Sequence, residues 1–351
     1  PAFFPLQAES SVKGKNAGKG EAKASGRTLY GAALFLALAL CLGKADAYAA
    51  DYASEYESVL YDSDDGLLSA EINALAQTDD GYIWAGGYSG LYRYDGARFE
   101  KTTLSPLINN VMAMYVDSRK RLWIGTNDSG LVCYNVYTET FAYYSTANGL
   151  PANSIRAICE DDEGNIYAAT TGYVCRIGTD GTVRAYDTWK DITYVRSLAS
   201  DGHIVVGVTN GGTLFFIEDD RLLLETEYAK DSTLSYMALG YGNDGWIVGL
   251  NAAAASRFTL EKGRVSVKDV VGTGGVDNMS DILYDPKNRG FFLLGDNGIT
   301  YLGEDNRTFT LTKDAFDSSM SDAMIDYQGN VWFASSKQGV MKYAENPSVI
   351  T

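Results

Sequence analysis

The sequence predicts an all-β fold, a seven-bladed β-propeller of four-stranded antiparallel blades with its ring closed by an N-terminal strand. Three observations carry this reading. The segment Gly81-Tyr82-Ile83-Trp84-Ala85-Gly86-Gly87-Tyr88-Ser89-Gly90-Leu91 returns as Arg121-Leu122-Trp123-Ile124-Gly125-Thr126-Asn127-Asp128-Ser129-Gly130-Leu131 and again as Gly329-Asn330-Val331-Trp332-Phe333-Ala334. From Trp84 to Trp332 there are 248 residues in six steps, about 41 per step, the length of a blade of four short strands. The 37 glycines and 25 tyrosines suit a chain made of turns and half-buried strands. Leucine-rich repeats have a shorter period, and the apolar tracts are too short and too β-branched or aromatic for helical repeats.

Residues 1–50 read as a basic leader plus signal peptide or signal anchor. Lys13, Lys15, Lys19, Lys23 and Arg27 precede an apolar run from Leu29 to Leu42, and Ala45-Asp46-Ala47 and Ala47-Tyr48-Ala49 follow as small-residue cleavage sites. Fourteen apolar residues are fewer than the roughly 20 that span a bilayer. This favours a cleaved signal, while the long basic leader suits an uncleaved anchor. Either leaves residues 56–351, the propeller, on the outside. A lipoprotein signal fits poorly, because Cys41 stands directly on the apolar run.

Glu57-Ser58-Val59-Leu60-Tyr61 stands ahead of the first blade, where it can complete the last one and remove the exposed edges. Ser348-Val349-Ile350-Thr351 competes for the same place. The expectation is that the leading strand clasps blade seven and the tail begins something further, a second propeller or a membrane span.

Each copy repeats one chemistry. A first strand, such as Ile155-Arg156-Ala157-Ile158-Cys159, leads into an Asp-x-x-Gly turn, in which Asp bonds nearby backbone and Gly accepts positive φ. The second strand carries Trp84, Trp123, Tyr167 or Trp332, expected to pack between blades. A third strand ends in Tyr94, Tyr134 or Tyr343, and an outer strand such as Phe99-Glu100-Lys101-Thr102 follows. Weaker copies begin at Asp201-Gly202-His203, Asp244-Gly245-Trp246 and Asp285-Pro286, with Val205, Ile247 and Phe291 or Leu293 in the tryptophan's place.

Several chemistries are excluded or weakened. The only histidine, His203, falls on a second strand, so histidine metal sites and Ser-His-Asp or Cys-His centres have at most one residue to use. Cys133, Cys159 and Cys175 remain beyond the signal and read as small buried apolar residues. The net charge is −16, and residues 1–47 hold six Lys/Arg against three Asp/Glu, leaving the propeller near −19. Such a domain repels nucleic acid and anionic membranes. Asp117, Asp161 and Asp326 belong to different blades, so calcium is disfavoured, and Gly272-Thr273-Gly274-Gly275 lacks the lysine and helix of a phosphate loop. No catalytic residue, metal or cofactor is expected.

With Gly149-Leu150-Pro151-Ala152-Asn153-Ser154-Ile155-Arg156-Ala157-Ile158, the Asp-x-x-Gly-x-Ile-Trp turn and the Gly-Leu turn in view, the chain resembles the two-component regulator propeller repeat family over residues 56–351. The match is specific in blades one, two, three and seven and degraded in blades four to six. The resemblance implies an exported, non-catalytic sensor domain of a bacterial membrane receptor, with any histidine kinase or diguanylate cyclase output lying outside this chain. It also implies a possible dimer in the full receptor. Two other readings stay open, a scaffold propeller that binds proteins and an exported propeller lyase or glycan hydrolase.

In a propeller, turns between second and third strands share a face with the loops that lead into the next blade, and non-repeating residues collect there. The candidates are Tyr88, Asn127, Asn210, Asp296 and Lys337 on the short turns, and Asn109, Asn153, Trp189, Arg196 and Asn278 on the longer loops, with Trp189 the strongest because it breaks the repeat. Their aromatic and amide groups suit an oligosaccharide or peptide, or a partner domain.

Overall fold

The computed structural model describes residues 56–186, 192, 194–225, 238–251, 254–261, 264–311 and 319–345. The leader, Trp189 and the 348–351 tail lie outside them. The described residues form seven four-stranded antiparallel sheets. Blade one comprises Ile72–Gln77, Ile83–Gly87, Gly90–Tyr94 and Phe99–Lys101, innermost strand first, and blades two to six follow in chain order. Blade seven is built differently. Its inner three strands are Met320–Ile325, Val331–Ser335 and Gly339–Glu345, and its outer strand is Tyr56–Tyr61, paired antiparallel from Tyr56↔Glu345 to Tyr61↔Val340. The leading strand therefore closes the ring.

The core lies between blades. Trp84 of blade one packs with Leu122, Ile124 and Tyr134 of blade two. Trp123 packs with Ile158, Ile166 and Cys175 of blade three, and Trp332 with Ile83, Tyr92 and Phe99 of blade one. The indole N–H groups are satisfied by the turns. Trp123 donates to Asp117 at 2.8 Å, and Trp84, whose blade has Thr78 at that place, donates to the threonine hydroxyl at 2.8 Å. The turn aspartates are thus structural acceptors, and Asp117 and Asp326 are buried.

Two assignments in the weaker blades shift by one residue. In blade four Val205 faces blade three, whereas Val206 faces blade five and stands where tryptophan does elsewhere. In blade six Phe292, not Phe291 or Leu293, faces blade seven. The paired positions flanking this turn, 8 apart at Met324 and Trp332, are 7 apart at Ala199 and Val206 and 9 apart at Leu283 and Phe292, which slips the count while the strand pairing holds its phase. Ile247 of blade five faces blade six as expected. His203 lies in the turn ahead of its strand rather than on it. Cys133, Cys159 and Cys175 are free and buried, and burial pushes the Cys133 thiol up to about 11 and Cys175 up to about 12.

Candidate ligand site at the channel mouth

The inner strands of five blades open with the same irregularity. A β-bulge falls between Ile72 and Ala74, Val111 and Ala113, Ile155 and Ala157, Val195 and Ser197, and Met320 and Asp322. A bulge inserts one unpaired residue and re-aims its side chain. The inserted residues are Asn73, Met112, Arg156, Arg196 and Ser321, and all five line one cavity of about 470 Å³ at the mouth of the central channel. Ser280 holds the corresponding place in blade six and lines the same cavity.

What fixes the bulge is the residue before it. Ile72, Val111, Ile155, Val195, Met279 and Met320 are all buried. Several sit on a glycine of the preceding blade. A Cβ on Gly86 would overlap Val111, one on Gly125 would lie 2.6 Å from Ile155 Cγ2, and one on Gly249 would lie 2.6 Å from Met279 Sδ. In blades two, three and six the anchor is held in a groove only glycine leaves open; blades one, four and seven bulge after Ile72, Val195 and Met320 without one.

Turns between second and third strands complete the rim with Asn210, Asp296 and Ser336, and the loops ahead of the anchors add Tyr194 and Ser319. Turn and loop are tied by backbone bonds: Asn127 N–H to Asn110 C=O, Asn210 N–H to Tyr194 C=O and Asp296 N–H to Asp277 C=O. Tyr194 is 60% exposed and has φ +54°, the left-handed region, which a bulky side chain occupies only where its surroundings impose it.

The polar groups of the mouth differ in state. Arg156 donates to Asn127 Oδ1 at 2.7 Å, and burial, only partly offset by the nearby Asp128 carboxylate, pulls its guanidinium below its usual value. Arg196 is exposed and, like Arg156, makes no ion pair among the described residues. Asp296 accepts from Ser319 Oγ and Asn278 Nδ2, both at 2.6 Å, and these bonds hold its carboxyl below the ordinary value. The Ser280 hydroxyl is buried without a hydrogen-bond partner among the described residues.

Deeper in the channel Asp281 and Asp322 share a hydrogen bond from neighbouring blades. Asp322 also accepts from Leu75 N at 2.6 Å and Ala323 N at 2.9 Å. The channel admits solvent but surrounds both carboxyls with protein. Desolvation pushes Asp281 up to about 6, and desolvation together with the neighbouring Asp281 raises Asp322 well above the usual range.

The structure brings Arg196, Asn210 and Asp296 to the cavity, with Asn127 and Asn278 behind them as hydrogen-bond supports. Tyr88 is on the same face, 63% exposed but off the cavity. Asn109 and Asn153 are spent on their own loops, donating to Pro106 C=O at 2.6 Å and accepting from Thr146 N at 2.8 Å. Lys337 stands outside the cavity wall, and Trp189 lies outside the described residues. Loop reasoning missed Asn73, Met112, Arg156, Ser280 and Ser321, whose signal was the residue directly after each apolar anchor. Among the described residues no group of three or more metal-binding side chains occurs, and no helix is long and apolar enough to cross a membrane.

The sequence model described as "Two component regulator propeller" matches residues 66–89, 105–128 and 149–172, one stretch at each of the first three blades. The histidine kinase P4 of Formosa agariphila is 37% identical over 68 residues, 18% of this chain and 5% of that protein. The extracellular domain of BT3049 of B. thetaiotaomicron, described as a hybrid two component system, superposes with a TM-score of 0.68 at 16% identity, covering 83% of this chain and 42% of that one. A streptogramin B lyase gives 0.67 at 18% identity, covering 83% of this chain and 98% of the lyase. At such identities these structures share the propeller fold alone, and this chain spans less than half the length of the receptor domain it matches.

Proposed function

The chain carries two component regulator propeller repeats, and on that premise we propose that it is the extracytoplasmic, non-catalytic sensor module of a membrane signalling receptor. It reads a small ligand, an oligosaccharide or a peptide, at the channel mouth. The observation that carries this reading is the series of bulges. Most of each repeat is spent on packing between blades, while one residue per bulged blade is released from pairing and turned into a common cavity. The five released residues are of four kinds, Asn, Met, Arg and Ser, a variation that a recognition surface requires and a structural repeat does not. Membrane attachment through the leader or a later span, and dimerisation in the receptor, complete the proposal.

A lyase of the same fold is the competing reading. A histidine-to-alanine variant of the Staphylococcus aureus virginiamycin B lyase is catalytically inactive. The single histidine here, His203, is in a turn between first and second strands, at the end of the blades away from the cavity. That placement favours binding over chemistry.

Thermal unfolding of the exported chain in the presence of oligosaccharide and peptide panels tests the reading. A ligand that raises the midpoint of the wild type, but not of Asn210→Ala or Arg196→Ala, supports it. Ligands that stabilise wild type and variants alike place binding elsewhere and defeat it, as does a panel with no effect.

A further inference from the structure

We propose that the channel mouth selects a monoanion and that a carboxylate of the ligand is held between Arg156 and Arg196. This rests on the reading of the cavity as a ligand site and names the chemistry it takes.

The chain carries −16 overall, yet adjacent blades three and four both present arginine at the inserted position of their bulges. A guanidinium is always charged and presents a planar fork that fits a carboxylate with two parallel hydrogen bonds. Arg156 is half-buried, its one hydrogen bond goes to a neutral amide at 2.7 Å, and desolvation already disfavours its charge. The Asp128 carboxylate offsets part of that cost without forming an ion pair, and a half-buried cation so placed gains when an anion arrives. Asn127 aims the group, because its amide nitrogen is engaged by Asp128 at 2.7 Å and its oxygen is left for the arginine.

The opposite wall limits the anion's charge. Asp296 on blade six is ionised and accepts one hydrogen bond on each oxygen, from Ser319 and Asn278. Asp281 and Asp322 share a hydrogen bond that needs a proton, so the pair carries at most one negative charge. Two guanidiniums against these groups leave the mouth between neutral and singly positive, which suits a carboxylate better than a multiply charged phosphate. Toward blade six the free acceptor capacity of Asp296 and the unpartnered Ser280 hydroxyl call for ligand donors, hydroxyl or amine. Tyr194, held in its left-handed backbone beside Arg196, offers its ring to the ligand body.

Acidic sugars and the C-termini of short peptides both supply such a carboxylate with donors nearby. The test uses paired probes on the full chain, followed by calorimetry: glucuronate against glucose, and the dipeptide Ala-Ala against its C-terminal amide. The acid of at least one pair should bind and its neutral partner should bind ~10- to 100-fold more weakly, the range expected for charge-assisted hydrogen bonds. Arg156→Gln and Arg196→Gln should each lose that preference while keeping the wild-type unfolding midpoint to within a few degrees. Which pair responds tells sugar from peptide. Equal binding of acid and neutral partner, lost on Asn210→Ala, overturns the carboxylate assignment and leaves the cavity as a ligand site. Acid binding unchanged in both arginine variants overturns the assignment as well. If neither pair binds, the carboxylate assignment falls, and the oligosaccharide and peptide panels decide the cavity separately.

Discussion

Trp332 Nε1 donates a 2.8 Å hydrogen bond to Asp326 Oδ2, across the turn that joins the first two strands of blade seven. The same carboxylate accepts from the backbone N–H of Gln328 and Asn330, both at 2.9 Å, and from Asn330 Nδ2 at 2.8 Å. One buried aspartate therefore shapes the turn and fixes the indole that seals the interface to blade one. Asp326→Ala leaves the indole N–H unsatisfied and should destabilise the fold by about 2–3 kcal/mol. Asp326→Asn keeps one acceptor and should cost less. Urea denaturation of both variants checks the order, and equal losses would contradict it.

The seam where the ring closes makes a second prediction. Tyr61 of the clasping strand stacks on Trp332 at 5.7 Å and shares a 2.8 Å hydroxyl bond with Tyr94 of blade one. It thus joins the outer strand of blade seven to the next blade. Tyr61→Ala should cost roughly 3–5 kcal/mol, the range of buried aromatic truncations. Tyr61→Phe should lose only the hydroxyl bond, about 0.5–1.5 kcal/mol. Thermal unfolding separates the two.

The channel carboxyls predict a pH dependence. Burial raises Asp281 from the ordinary 3.8 to about 6, so the folded protein keeps a proton that the unfolded chain releases at lower pH. The stabilising effect of that proton is complete below about pH 4 and is lost as pH rises through 6. Asp281→Asn fixes a neutral group that can still donate to Asp322. Its stability relative to wild type should rise between pH 4 and 6 by roughly 1–3 kcal/mol and then level off. Denaturation curves at pH 4, 5, 6 and 7.5 that stay parallel would refute this.

Tyr194 predicts a conflict between stability and binding. Its left-handed backbone costs roughly 1–2 kcal/mol that glycine would not pay, and its exposed ring returns little packing. Tyr194→Gly should therefore unfold at a higher temperature while binding ligand more weakly. A variant that is both less stable and unimpaired in binding would show the ring to be structural.

Gly125→Ala links packing to the site. The added methyl meets Ile155, the anchor of the bulge that carries Arg156. Overpacking should cost about 1–3 kcal/mol and shift the guanidinium, so ligand affinity should fall although no ligand contact is removed. Calorimetry beside thermal unfolding reads both effects.

Blade number, ring closure and the direction in which Trp84, Trp123 and Trp332 face were legible because each rests on a spacing that repeats. Val206 and Phe292 were misplaced by one residue because turn length is the one quantity a fixed motif cannot track. The rim was legible in part. Asn210 and Asp296 sit on short turns, which sequence can locate, whereas Arg196, expected on a loop, is the inserted residue of the inner strand Val195–Ser200. Arg156 and Asn73 are on inner strands, where simple alternation assigns a residue beside a buried anchor to the packed sheet. A bulge breaks that alternation, and at Arg156 the anchor before it, Ile155, seats on Gly125, thirty residues away in the previous blade. Such a contact is visible only once the blades are set side by side.

The pairing of Tyr56 with Glu345 also orders events in time. The clasping strand is among the first parts of the propeller to be synthesised, and its partner is among the last. Until the final blade arrives, the strand remains an unpaired edge and blade one lacks the neighbour that brings Trp332. The slowest step of folding should therefore be the meeting of the two ends, a contact of very high sequence separation. A chain stopped before Gly339 would have its early blades but no means of locking the circle.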